Sequence, residues 1–185
     1  MQTVLLVEGD SDRIAIETLA RRLGQDMTGI RLVVLSGATN ASRALREFGP
    51  HGLNLRLAGV CDIGEERYFR GGLERAGLGS NLSRDGMEQL GFFLCDADLE
   101  DELIRCLGTA RVEQILDAEG ELPAFRVFQN QPFHRDRAPK QQLHRFFGTI
   151  AGRKARYAEA LVDGLELRRI PWPLEGVLNF VASTG

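Results

Sequence analysis

Val4-Leu5-Leu6-Val7-Glu8-Gly9-Asp10-Ser11-Asp12, continuing through Arg13-Ile14-Ala15-Ile16-Glu17-Thr18-Leu19-Ala20-Arg21-Arg22-Leu23 to Gly24, reads as one strand, a short acidic turn and one helix. The run 3–7 is apolar and bounded by polar residues, the mark of a buried strand. Asp10 or Ser11 can cap the helix that follows. Ile14, Ile16, Leu19, Ala20 and Leu23 recur close to a 3.6 period, and Gly24 stops the helix. A strand feeding directly into a helix is the opening unit of an α/β fold.

The alternation continues outward from this unit. Residues 31–35, 55–61 and 91–95 read as further strands. Helices are expected over 41–48 and 66–76 and from about residue 98 onward, with a Gly-, Ser- and Asn-rich surface loop at 77–87. After Cys106 strand-like runs stop, and 109–119, 122–130, 139–147, 153–163 and 174–182 read as helices. The pattern predicts an α/β domain, residues 1–107, with a mostly parallel four-stranded sheet flanked by helices. Residues 108–185 form a helical C-terminal extension packed on it.

Composition narrows the class. The 185 residues are 43% hydrophobic and 26% charged, a folded and not a disordered chain. No run approaches the ~18 apolar residues of a membrane span, and the acidic N-terminus is not read as a signal peptide. Cys61, Cys95 and Cys106 make no paired motif, which fits a reducing cytoplasm. His51, His134 and His144 lack zinc-ligand spacing. Net charge is −3 but uneven: residues 1–125 carry 13 basic and 21 acidic side chains, residues 126–169 carry 10 and 4. An acidic front and a basic back suit a metal site beside a polyanion surface, and ordinary variation among small domains would serve equally well.

In parallel sheets ligands sit beyond the carboxyl ends of the strands. The residues at those ends are Glu8, Ser36, Asp62 and Asp96, three of them acidic, so a carboxylate cluster is expected at one rim. Clustered carboxylates repel unless protons or a divalent cation neutralise them, and Mg²⁺ prefers oxygen ligands while keeping waters for a phosphate. Asp98 reads as a helix cap, and Phe125, Phe128, Phe146 and Phe147 as core of the helical half.

The strand-Glu8-Gly9-helix segment and the later strand ending at Asp62 resemble a Toprim domain. The form Glu8-Gly9-Asp10-Ser11-Asp12, the helix start Leu99-Glu100-Asp101 and the lysine of Gly152-Arg153-Lys154-Ala155 are most similar to the OLD (overcoming lysogenization defect) nucleases. The resemblance implies a metal-dependent nuclease that hydrolyses phosphodiester bonds, with DNA favoured over RNA. Two Mg²⁺ or Mn²⁺ ions would be held by Glu8, Asp12, Asp62 and Glu100. Glu8 and Lys154 are the implied catalytic residues, while Arg135, Arg137, Lys140, Arg153 and Arg156 are candidates to track a nucleic-acid backbone. Two departures stand out. Gly64 occupies the place of the second Asp of the Toprim Asp-x-Asp, so either Glu65 or Glu66 supplies a carboxylate instead or the metal loses a ligand. No GxxxxGK[ST] loop accompanies the domain, which implies action alone or with a separate ATPase. An RNA-processing Toprim nuclease and a non-catalytic interaction subunit are the alternatives. A phosphoacceptor receiver domain is disfavoured, because Asp96 stands where it needs Ser or Thr.

Overall fold

The computed structural model describes residues 2–150 and 152–183. Four strands, β1 (Thr3–Val7), β2 (Ile30–Val34), β3 (Arg56–Asp62) and β4 (Phe92–Cys95), form one parallel sheet in the order β2-β1-β3-β4. The helices between them are α1 (Asp10–Leu23), α2 (Ala41–Phe48), α3 (Glu66–Arg75) and α4 (Arg84–Gln89). Then follow α5 (Leu99–Leu107), α6 (Thr109–Ala118), α7 (Leu122–Gln129), α8 (Pro139–Phe147), α9 (Arg153–Asp163) and α10 (Trp172–Ala182). The expected strands and C-terminal helices are therefore present. The 77–87 loop is corrected: from Arg84 the chain is helical, started by Ser83, whose hydroxyl accepts from the Gly86 N–H at 3.1 Å. A Ser cap so close to glycines is easily read as loop composition.

Alternation along the strands divides the core in two. Val4, Leu6, Leu57, Cys61, Phe92 and Leu94 pack on one face against α2, α3 and Met87. Leu5, Val7, Ala58, Val60, Phe93 and Cys95 pack on the other against Ile16 and Leu19 of α1 and the helices after β4. On that second face the apolar cluster is continuous from Leu5 through Leu103, Phe125, Leu143 and Tyr157 to Val177. Phe125, Phe128, Phe146 and Phe147 are core residues, as expected.

Contacts at two places fix the C-terminal helices, α10 on the sheet and α9 on α1. Gly176 of α10 lies so close to β4 that a Cβ there would meet Phe93 Cε1 at 2.4 Å. Arg21 of α1 pairs with Glu159 of α9 at 3.0 Å and approaches Asp163 at 3.7 Å, and Arg22 donates to the Leu165 carbonyl at 2.9 Å. The C-terminal ends of α1 and α9 thus lie together, and the first turn of α9 is carried to the end of the sheet where α1 begins.

Gly176→Ala should destabilise the chain by about 1–3 kcal/mol through overpacking against Phe93, seen as a Tm several degrees lower. Gly64→Ala, whose Cβ would meet nothing within 4 Å, should leave Tm unchanged.

Candidate active site

Strand order reverses between β1 and β3: the chain leaves β1 for β2 on one side and then returns to build β3 and β4 on the other. The crevice at such a reversal is where an open parallel sheet receives ligands. Glu8 follows β1 and Asp62 ends β3, so the two acids flank it. Glu8 Oε1 accepts from the Asp62 N–H at 2.9 Å, which ties the two strand ends together. Asp12, in the first turn of α1, turns back to accept from the Gly9 N–H at 2.9 Å. Gly9 itself is extended, at φ −143°, so no tight turn demands glycine there.

Two further elements complete the rim. Asp98 caps α5, accepting from the Asp101 N–H at 2.9 Å, as its sequence position suggested. Glu100 lies on the first turn of α5 and is only 4% exposed. Lys154 arrives from α9: its Nζ is 2.6 Å from Glu100 Oε2 and 3.3 Å from Asp98 Oδ2. Asp98 also holds His144 of α8, with Nε2 2.7 Å from Oδ2.

The electrostatics follow from this crowding. Burial, then the charges of Glu8, Asp12, Asp98 and Glu100, push the Asp62 carboxyl up to about 8. Burial, opposed by the Gly9 hydrogen bond and assisted by Glu100 and Glu8, raises Asp12 to about 7. Glu8 is also raised by burial, against the Asp62 N–H, with Glu65 adding repulsion and Lys154 relief. For Asp98 burial acts upward but is outweighed by His144, the Asp101 N–H and Lys154, and its carboxyl lies well below the usual range. His144 is raised by the hydrogen bond to Asp98 against the opposing effect of burial.

The four acids expected as metal ligands, Glu8, Asp12, Asp62 and Glu100, therefore share one electrostatic site. Among the described residues no three His, Cys, Asp or Glu side chains form a ready-made cage for an ion. The donor chemistry nevertheless fits Mg²⁺: all-oxygen, net negative and partly dehydrated. This ion is commonly held by one or two carboxylates, with water and phosphate filling the rest. Gly64 presents open space, and of its acidic neighbours Glu65 is the one that acts on Glu8, whereas Glu66 pairs with Arg70 at 2.9 Å.

Other expectations are corrected. Asp96 does not join the cluster: it is exposed and held by Arg84 at 2.8 Å and Arg105 at 3.1 Å. Arg153 is not on a nucleic-acid surface. It is 8% exposed, bonded to Glu121 at 2.9 Å and to the Phe146 carbonyl at 3.0 Å, and lies over the Phe146 ring. Arg156 is exposed beside it but also leans on Glu121, at 3.2 Å. Arg135 is exposed, while Arg137 and Lys140 are half-buried around a pocket that His144 also lines. His144 was not among the site residues read from the sequence. The local signal was the Asp98 cap, but only the folded chain brings α8 to it.

Residues 1–63 match the family model of the overcoming lysogenization defect protein-like TOPRIM domain, a span that includes Glu8, Asp12 and Asp62. The fold matches solved structures over 98% of the chain. The C-terminal region of the Burkholderia pseudomallei OLD protein aligns at 21% identity and TM-score 0.75, over 97% of that chain. The C-terminal region of the Xanthomonas campestris pv. campestris OLD protein aligns at 24% identity and TM-score 0.76 over 92% of that chain. A second determination of that region gives 27% and 0.72 over 94%. No curated protein matches significantly. The OLD-type Toprim resemblance is thus found both in the family match and in the fold of nearly the whole chain.

Asp12 and Asp62 have carboxyl groups raised in the folded state, so protonation favours folding: that stability is complete below their ordinary values near ~4. It is lost as pH rises through about 7 and about 8, respectively. In EDTA, Tm should fall between about pH 4 and pH 8, and Asp62→Asn should flatten the fall. Addition of Mg²⁺ at alkaline pH should restore Tm in the wild type but not in Asp62→Asn.

Proposed function

We propose that this chain is a divalent-metal-dependent nuclease that hydrolyses phosphodiester bonds, with DNA as its substrate. The observation that carries the reading is the meeting of four carboxylates and one lysine at the point of strand reversal, on a fold shared with OLD C-terminal regions. Glu8, Asp12, Asp62 and Glu100 would hold Mg²⁺ or Mn²⁺. When bound, such ions supply a nucleophilic water at neutral pH and neutralise the leaving oxygen.

The chain's own residues supply the frame. The hydrogen bond from the Asp62 N–H to the Glu8 carboxylate ties the two central acids together. The Gly9 N–H orients Asp12. Lys154 is half-exposed and faces the rim between Glu100 and Asp98, where its ammonium can meet a phosphate oxygen and offset the charge that develops on it. Glu65 supplies negative charge where Gly64 supplies none.

Plasmid DNA should be cut in Mg²⁺ or Mn²⁺ and not in EDTA. Glu8→Ala, Asp62→Ala and Lys154→Ala should each lower cleavage by about 100-fold or more, with folding verified by circular dichroism. Cutting of single-stranded RNA in preference to DNA would reassign the substrate. Full activity in the Glu8 and Asp62 variants would exclude the mechanism. If Glu65 stands in for the missing acid, Glu65→Gln should slow cleavage and Gly64→Asp in the same chain should recover it.

A further inference from the structure

Phe133 is 70% exposed, whereas Phe125, Phe128, Phe146 and Phe147, its neighbours in the helical half, are buried. It stands in the loop between α7 and α8, and cations gather around it. Arg137 lies over its ring at 5.0 Å and donates from Nε to its carbonyl at 3.3 Å; Arg145 lies 6.0 Å from the ring. Neither arginine has a carboxylate partner among the described residues. Both line an open pocket of about 470 Å³ together with His144 and with Lys140 and Asp101, which are paired with each other at 2.9 Å. The pocket leads to the rim through contacts already described: His144 touches Asp98, which touches Lys154.

An exposed aromatic ring beside guanidinium groups that pair with no carboxylate is chemistry that suits a nucleic-acid strand with an unpaired base. The ring offers a stacking face to any base, and the arginines offer charge to its phosphates. A duplex keeps its bases stacked and would use only the arginines. We propose that Phe133, Arg137 and Arg145 form a clamp that stacks one unpaired nucleobase and holds its flanking phosphates, setting the strand on a path past His144 to the carboxylate rim. The inference rests on the reading of that rim as a nucleic-acid site, and it names the substrate class as single-stranded or locally melted.

The test is binding of fluorescent oligonucleotides to the full chain in EDTA, read by anisotropy: single-stranded DNA, single-stranded RNA of the same sequence, and blunt duplex DNA. The wild type should prefer a single strand. Phe133→Ala should weaken single-strand binding by about 5- to 150-fold and leave duplex binding unchanged, and Phe133→Trp should retain it. Arg137→Ala with Arg145→Ala should weaken all three ligands and flatten the salt dependence. A Phe133-dependent loss on either single strand supports the clamp, and the tighter of the two names the sugar. Equal loss on duplex and single strand, no effect of Phe133→Ala, or no binding at all overturns it. Because binding is read without metal, a wild type that binds as expected but cuts nothing overturns the nuclease reading and leaves the clamp. A wild type that cuts without dependence on Phe133 does the reverse.

Discussion

A parallel sheet has two apolar faces, and water must be kept from both. Here β1, β3 and β4 send alternate residues to opposite cores, so the sheet cannot be covered by α2, α3 and α4 alone. The second face is closed by α1 and α10, with α9 packed along α1, and the close approach of Gly176 to Phe93 shows how tightly that cover sits. Everything at the rim depends on this closure. Because α9 lies along α1 with its C-terminal end beside that of α1, its first turn reaches the start of α1, and Lys154 is delivered to acids that precede it by some fifty residues or more.

The same closure dries the acids. Glu8, Asp12 and Asp62 sit where the strand order reverses, partly withdrawn from water and within range of one another. Burial and mutual repulsion act in one direction, favouring the neutral form of each, and a cation would relieve both. The rim also separates two kinds of carboxylate. Asp98 and Glu100 have Lys154 as a cationic neighbour, and Asp98 is also hydrogen-bonded to His144; Asp12 and Asp62 have mainly other acids. That asymmetry places the unneutralised charge on the β1–β3 side and the cations on the α8–α9 side.

Much of this was legible in the residue order. Apolar runs of four to seven residues alternating with amphipathic segments specify strands and helices locally, and acids directly after strands specify a rim. The Asp98 cap was readable for the same reason: capping is an interaction within one turn. The resemblance of Glu8–Asp12 and Asp62 to OLD-type Toprim motifs stood in contiguous segments. The failures are equally physical. The α4 helix was hidden by its glycine-rich approach. Asp96 resembled a rim acid, because its distance from the strand end says nothing of the arginines, Arg84 and Arg105, that hold it outward.

What the sequence alone determined is what depends on neighbours along the chain: element type, the acidic strand ends and the overall α/β plan. Tertiary structure decided the long-range pairings. It buried Arg153 against Glu121 and Phe146 while turning the adjacent Lys154 to the rim. It also seated His144 on Asp98 and left Phe133 in solvent beside Arg137. Adjacent residues on a helix point in different directions, and which direction faces a site is set by how the helix docks. That docking is the outcome of covering the sheet, and no local pattern encodes it.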